Sequence, residues 1–148
     1  MADFDTPRLV DGPDTALATV LLAHGAGAPM DSPFMAAMAS GLADHGWRVV
    51  RFEFAYMAKQ RLSGRKAAPD RLPKLQEVFR QQVALELAKG PVIMGGKSMG
   101  GRVASLLLDE LQVVGGICLG YPFHPLGKPE QLRTEHLREL TTPTLILQ

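Results

Sequence analysis

The chain has 148 residues, 46% hydrophobic and 21% charged, with a net charge of +1. That length carries one domain with a real core, residues 1–148, and a near-neutral charge offers no electrostatic case for nucleic-acid or membrane partners. One cysteine, Cys118, excludes an internal disulfide and a cysteine-rich metal site; set in an apolar run, it reads as a buried structural thiol.

Met1 to Asp5 carry two acids and no hydrophobic core, unlike a secretory signal. No apolar stretch approaches the ~20 residues that span a bilayer, so a cytoplasmic location is expected. Residues 1–16 are polar and turn-rich, with room for one short strand at Arg8 to Val10. Ala18 to Ala23 is a continuous apolar run of strand length, the pattern of a strand buried on both faces of a parallel sheet. A loop, His24 to Asp31, leads to a helix with Ser32 as N-cap and Pro33 at its first position. Phe34, Ala37, Met38, Gly41 and Leu42 follow the helical period, and Gly46 stops it.

Trp47 to Phe54 reads as the second strand, and Ala55 to Pro69 as a polar loop. Asp70 is the expected cap of a second helix with Leu75, Val78, Phe79, Val83 and Leu87 on one face, ended by Gly90. Val92 to Met94 is the third strand. A third helix from Met99 to Leu111, a fourth strand from Val113 to Leu119 and a Pro-rich loop follow. A short helix near Thr134 to Leu140 and a fifth strand, Thr144 to Leu147, complete the order. This alternation predicts an α/β three-layer sandwich around a mostly parallel sheet, joined by right-handed crossovers.

Gly96-Lys97-Ser98-Met99-Gly100 stands at the third strand-to-helix turn. A serine between two glycines there is the pattern of a nucleophile elbow: the turn excludes side chains at the glycines and holds the serine in a strained conformation. Its hydroxyl then stands above a helix N-terminus, where free N–H groups and partial positive charge favour an oxyanion. The Gly-Lys-Ser string fails as a phosphate loop, because the required earlier glycine is Pro91 and strand formers lie between. A dinucleotide fingerprint at Gly25-Ala26-Gly27 fails too, since Met30 holds the third glycine position.

Paired with the elbow, His24-Gly25-Ala26-Gly27 gains meaning. Small residues let backbone N–H groups approach a substrate carbonyl, and Ala26, with Gly27 as the alternative, is the expected oxyanion donor beside Met99. His24, Gly25, Gly27, Lys97 and His124 are the expected substrate-lining residues. His24 reads as ordering its loop rather than as a base. Lys97 either touches substrate or orients the elbow by packing. His124 lines the pocket or, less simply, substitutes as base with Glu130 or Glu135 orienting it; His45 and His136 read as surface or helix-end residues.

Together these segments resemble the α/β-hydrolase superfamily, over most of residues 18–148. Gly95 to Arg102, Gly120 to Pro125 and Arg133 to Leu137 are similar to a small bacterial group. That group is like the hydrolase-like domain of certain eukaryotic testis-expressed and chromatin-complex proteins. The resemblance implies the fold, a serine nucleophile at Ser98 and hydrolysis of an ester, thioester or similar carbonyl in a small-molecule substrate. It implies no metal and no organic cofactor. The alternative is a non-catalytic interaction module on the same fold. In this superfamily an acid and then a histidine follow the serine, in loops after the strand matching Thr144 to Leu147. The expectation is therefore a fold incomplete at the C-terminus, cut from a domain of about 200 residues, with little turnover. Its edge strand, Thr144 to Leu147, would invite self-association. Lys59, Arg61, Arg65, Lys66, Arg71 and Lys74, with Asp70 among them, read as a solvated loop or as a field that recruits an anionic substrate.

Overall fold

Continuous apolar runs become the central strands. The computed structural model describes residues 6–148, so the reading of Met1 to Asp5 lies outside the described residues. Strand β2 (Thr19–Ala23) is buried at every position. It lies between β3 (Arg48–Phe52) and β4 (Val92–Lys97), both parallel to it. β5 (Gly115–Leu119) and β6 (Thr144–Leu147) extend the parallel sheet on one side. The short N-terminal strand β1 (Arg8–Asp11) pairs antiparallel with β3 on the other. The order is β1-β3-β2-β4-β5-β6.

Alternate side chains of these strands enter two cores. Leu21, Val50, Phe52 and Met94 face α3 (Leu72–Leu87) and α4 (Met99–Leu107), where Phe79, Val83 and Leu107 meet them. Phe52 stands edge-on to Phe79, centroids 5.0 Å apart, and to Phe54 at 5.4 Å. Burial of each such ring contributes about 1.5–3 kcal/mol. Val20, Leu22 and Val49 face the opposite way, onto Met35 and Ala39 of α1 (Pro33–Asp44). Helices on both faces make the three layers. Past α1 that second face is open, leaving an apolar hollow of about 470 Å³ lined by Trp47, Ile93, Ile117, Pro143 and Leu145.

α1 begins as expected: the Ser32 hydroxyl accepts the Met35 N–H and Pro33 opens the first turn. Three expectations fail. The segment read as a polar loop contains α2 (Ala55–Ser63), because Tyr56 and Met57 bury against the core while the rest of the helix faces outward. Asp70 does not cap α3, which starts with Arg71 at its cap and no side-chain bond. Its carboxylate turns back and accepts the Tyr56 N–H at 3.0 Å, capping α2 instead. α4 also ends four residues earlier than its apolar pattern predicts, at Leu107, and a turn follows. Among the described residues no helix is long and apolar enough to cross a membrane.

Candidate active site

Parallel pairing brings the carboxyl ends of β2, β4 and β5 to one edge. In register, Ala23 lies beside Gly96, and Lys97 beside Leu119. The chain leaves β2 toward α1 on one face and leaves β4 toward α4 on the other, so a crevice opens where the connections part. Ser98 stands at that crevice with φ 50° and ψ −113°. Among the described residues it is the one non-glycine with positive φ. Its N–H donates to the Leu119 carbonyl at 2.9 Å, and its carbonyl accepts the Arg102 N–H at 3.0 Å, opening α4.

The glycines make this bend sterically feasible. A Cβ on Gly96 would meet the Ala23 carbonyl oxygen at 2.5 Å, and one on Gly100 would meet the His24 oxygen at 2.5 Å. The elbow therefore presses against the end of β2. A Cβ on Gly25 would lie 3.8 Å from the Ser98 Cβ, in ordinary contact.

The loop after β2 is fastened from below. His24 is fully buried. Its Nδ1 lies 2.6 Å from the Gly25 carbonyl, and its Nε2 accepts the Phe54 N–H at 3.1 Å. That network assigns the proton to Nδ1. The Tyr56 hydroxyl donates to the Ala26 carbonyl at 2.9 Å. At the far end of the loop, the Met30 N–H donates to the buried Glu53 carboxylate at 3.2 Å, and its carbonyl accepts from Arg51 at 3.0 Å. Glu53 is in turn paired with Arg61, which also holds Asp31. With the carbonyls of Gly25 and Ala26 engaged, the N–H groups of Ala26 and Met99 donate to no described protein acceptor. Ala26, Ser98 and Met99 line one hollow of about 350 Å³ with Asp70, Arg102 and Arg133.

A family profile described as an alpha/beta hydrolase domain matches residues 16–148. The chain belongs to the alpha/beta hydrolase family. Solved structures share its fold. An alpha-beta serine hydrolase homologue from Coxiella burnetii is 18% identical with a TM-score of 0.66, over 94% of this chain and 65% of its own. An a/b serine hydrolase without lid from Xanthomonas campestris is 16% identical, TM-score 0.66, over 99% of this chain and 84% of its own. A monoacylglycerol lipase from Paleococcus ferrophilus is 17% identical, TM-score 0.61, over 82% of this chain and 45% of its own. This hydrolase domain thus spans less than two thirds of the Coxiella and Paleococcus chains.

Not every expected lining residue of the hydrolase domain reaches the hollow at Ser98. Ala26 does; Gly27 lies in an adjoining groove of about 500 Å³ with Lys66 and Pro69. His24 does not line it, because its two ring nitrogens are engaged inside the core. Burial lowers its pKa, against smaller opposing effects of the Gly25 carbonyl and the Glu53 charge, which favours the neutral ring. Lys97 points elsewhere, its Nζ 5.4 Å from the centroid of the Phe34 ring, so the packing alternative fits. His124 is also outside, with Nδ1 2.9 Å from the Pro125 carbonyl on an exposed loop.

His136 is no simple surface residue. Half-buried in a short 3-10 turn (Glu135–Arg138), its Nε2 lies 2.8 Å from the Ser105 hydroxyl. Burial, then the Arg102 charge, lowers its pKa. His45 is exposed and holds the Gly41 carbonyl at 2.8 Å. Cys118 is buried, and burial pushes its thiol up to about 11, so it is inert.

Of the basic loop, Arg61 and Lys74 are paired with carboxylates; Lys59, Arg65, Lys66 and Arg71 have none among the described residues. Among the described residues no cluster of three or more His, Cys, Asp or Glu could hold a metal. Sequence reasoning missed Arg102 and Arg133 as site residues. Arg102 carried a usable signal, standing one helical turn after Ser98. Arg133 carried no periodic signal, since a long loop delivers it; it stood only within the Arg133 to Leu137 segment of the resemblance.

Proposed function

We propose that this domain is a serine hydrolase for an ester, thioester or similar carbonyl substrate. The observation that carries the reading is the positive φ of Ser98 at the strand-to-helix bend, a costly conformation that aims its side chain at the crevice. The Ser98 oxygen attacks the carbonyl carbon. The oxyanion that forms is received by the N–H groups of Met99 and Ala26, with the N-terminus of α4 behind them. Collapse of that oxyanion breaks the ester or thioester bond and expels the alcohol or thiol, which takes up the Ser98 proton through the base; water then hydrolyses the acyl-serine to the carboxylic acid and restores the Ser98 hydroxyl. Neighbours of the same fold described as serine hydrolases and a monoacylglycerol lipase support acyl chemistry. Gly95 to Arg102 and Gly120 to Pro125 support placing it with the small bacterial group named above.

Attack requires a base for the Ser98 proton. His24, His45, His124 and His136 are all bonded elsewhere, and the Ser98 hydroxyl meets no described side-chain partner. This supports slow turnover by residues 1–148 alone. The same observation favours a second reading, a non-catalytic interaction module. Covalent labelling of the full gene product with a neutral fluorophosphonate separates the two. Labelling of the native protein but not of Ser98→Ala supports the hydrolase; no labelling of either supports the module.

A further inference from the structure

Five arginines in this protein, from buried to exposed, have a carboxylate partner. Arg8 and Arg48 pair with Glu86, and Arg51 pairs with Asp11. Arg61 and Arg80 likewise hold Glu53 and Glu110. Arg65, Arg71 and Arg138 lack a partner among the described residues, but they are exposed. Arg102 and Arg133 differ from both sets: each is partly buried, neither has a carboxylate partner among the described residues, and both line the hollow at Ser98.

Three features make this arrangement costly when empty. The Arg102 Nε is buried without a hydrogen-bond partner, a loss of about 1–3 kcal/mol for such a donor. Arg102 also stands in the first turn of α4, near the positive end of the helix dipole. Burial, then the like charge of Arg133, lowers its pKa. The one acid in the hollow, Asp70, does not offset this, because it holds the Tyr56 N–H and lies 3.4 Å from the Lys74 Nζ. Arg133 is not there by default of a loose loop. Its N–H donates to the Phe123 carbonyl at 2.7 Å, and its carbonyl accepts the Tyr121 hydroxyl at 2.6 Å.

We infer that Arg102 and Arg133 form an anion subsite that binds a carboxylate or phosphate group of the substrate beside Ser98. Guanidinium forks suit the planar or tetrahedral oxygens of such groups. Four residues, about 6 Å of helical rise, separate Arg102 from Ser98 along α4, so the anionic group lies only a few atoms from the carbonyl under attack. A short half-ester or a small phosphorylated acyl compound fits; a long neutral acyl chain leaves both cations uncompensated. That the occupant is a substrate rests on the hydrolase reading. The anion subsite itself does not.

The test is a titration of the protein with inorganic phosphate and, separately, with succinate, at pH 7 and constant ionic strength. It is followed by NMR at the Met99 amide and the arginine Nε–H groups. Saturable binding is expected, with affinity at least tenfold weaker in Arg102→Gln and in Arg133→Gln. Arg133→Lys, which keeps charge without the fork, gives an intermediate loss and guards against misfolding of Arg102→Gln. The stronger of the two anions identifies the group. No saturation by about 20 mM of either anion, or an affinity in either glutamine variant equal to that of the native protein, overturns the inference. Binding that persists in a protein whose Ser98 resists fluorophosphonate supports the subsite and removes the hydrolase reading alone.

Discussion

His24 Nε2 accepts the backbone N–H of Phe54, tying the end of β2 to the segment between β3 and α2. The bond is made in the core, so the ring acts as a strut beneath Gly25 and Ala26. His24→Ala should lower stability by about 3 kcal/mol, through an orphaned N–H and a cavity, measured by urea unfolding. The pH dependence has a definite sign. Burial depresses the folded pKa, so the unfolded chain takes up the proton first as pH falls below about 6.5. The contribution is complete above that value and is lost as pH drops through the folded pKa. The urea midpoint should therefore fall between about pH 7 and 5, and less so in His24→Gln; His136, shifted the same way, leaves a residual slope.

Two glycines should respond oppositely to alanine. Gly96→Ala puts a Cβ 2.5 Å from the Ala23 carbonyl oxygen, against rigid strand backbone. We expect a loss of at least about 3 kcal/mol or insoluble expression. Gly41→Ala, exposed within α1 with no atom near the new Cβ, should gain about 0.5–1 kcal/mol. Thermal melts of the two variants check the contrast.

Glu86 gathers Arg8, Arg48 and Lys89 around a side chain without solvent exposure. Burial raises its pKa, but the bonds from Arg48 and Arg8 outweigh that and hold it below the usual range. Glu86→Gln should cost about 3 kcal/mol, since the clustered cations lose their counter-charge. Its contribution is full above about pH 4.5 and disappears as pH falls through the folded value; acid unfolding curves of the variant should be correspondingly flatter.

β6 is the outermost strand of the sheet on its side among the described residues, and Leu145 and Leu147 are about half exposed on one face. We expect concentration-dependent association of the 148-residue chain in light scattering. Leu145→Lys, which puts a charge beside the apolar hollow, should abolish it.

The parallel core was legible because the runs Val20 to Ala23 in β2 and Val92 to Met94 in β4 are short, continuously apolar and bounded by turn residues. The elbow was legible because its cause is local: a glycine on each side of Ser98 permits the bend. α2 was not, since burial of only Tyr56 and Met57 holds it, too little to print a helical stripe. The redirected cap of Asp70 was hidden for a related reason. Its partner, Tyr56, is fourteen residues upstream, and only the folded chain shows which N–H is nearer. The Arg102–Arg133 pair is a loop-to-helix juxtaposition with no periodicity to announce it.

Ser98 holds a backbone conformation that glycine adopts freely. A Ser98→Gly chain should therefore melt higher, by about 1 kcal/mol of added stability after glycine's own entropic cost. Selection for thermostability alone would thus drift toward losing the hydroxyl, and any screen for robust variants of this protein has to monitor position 98 separately.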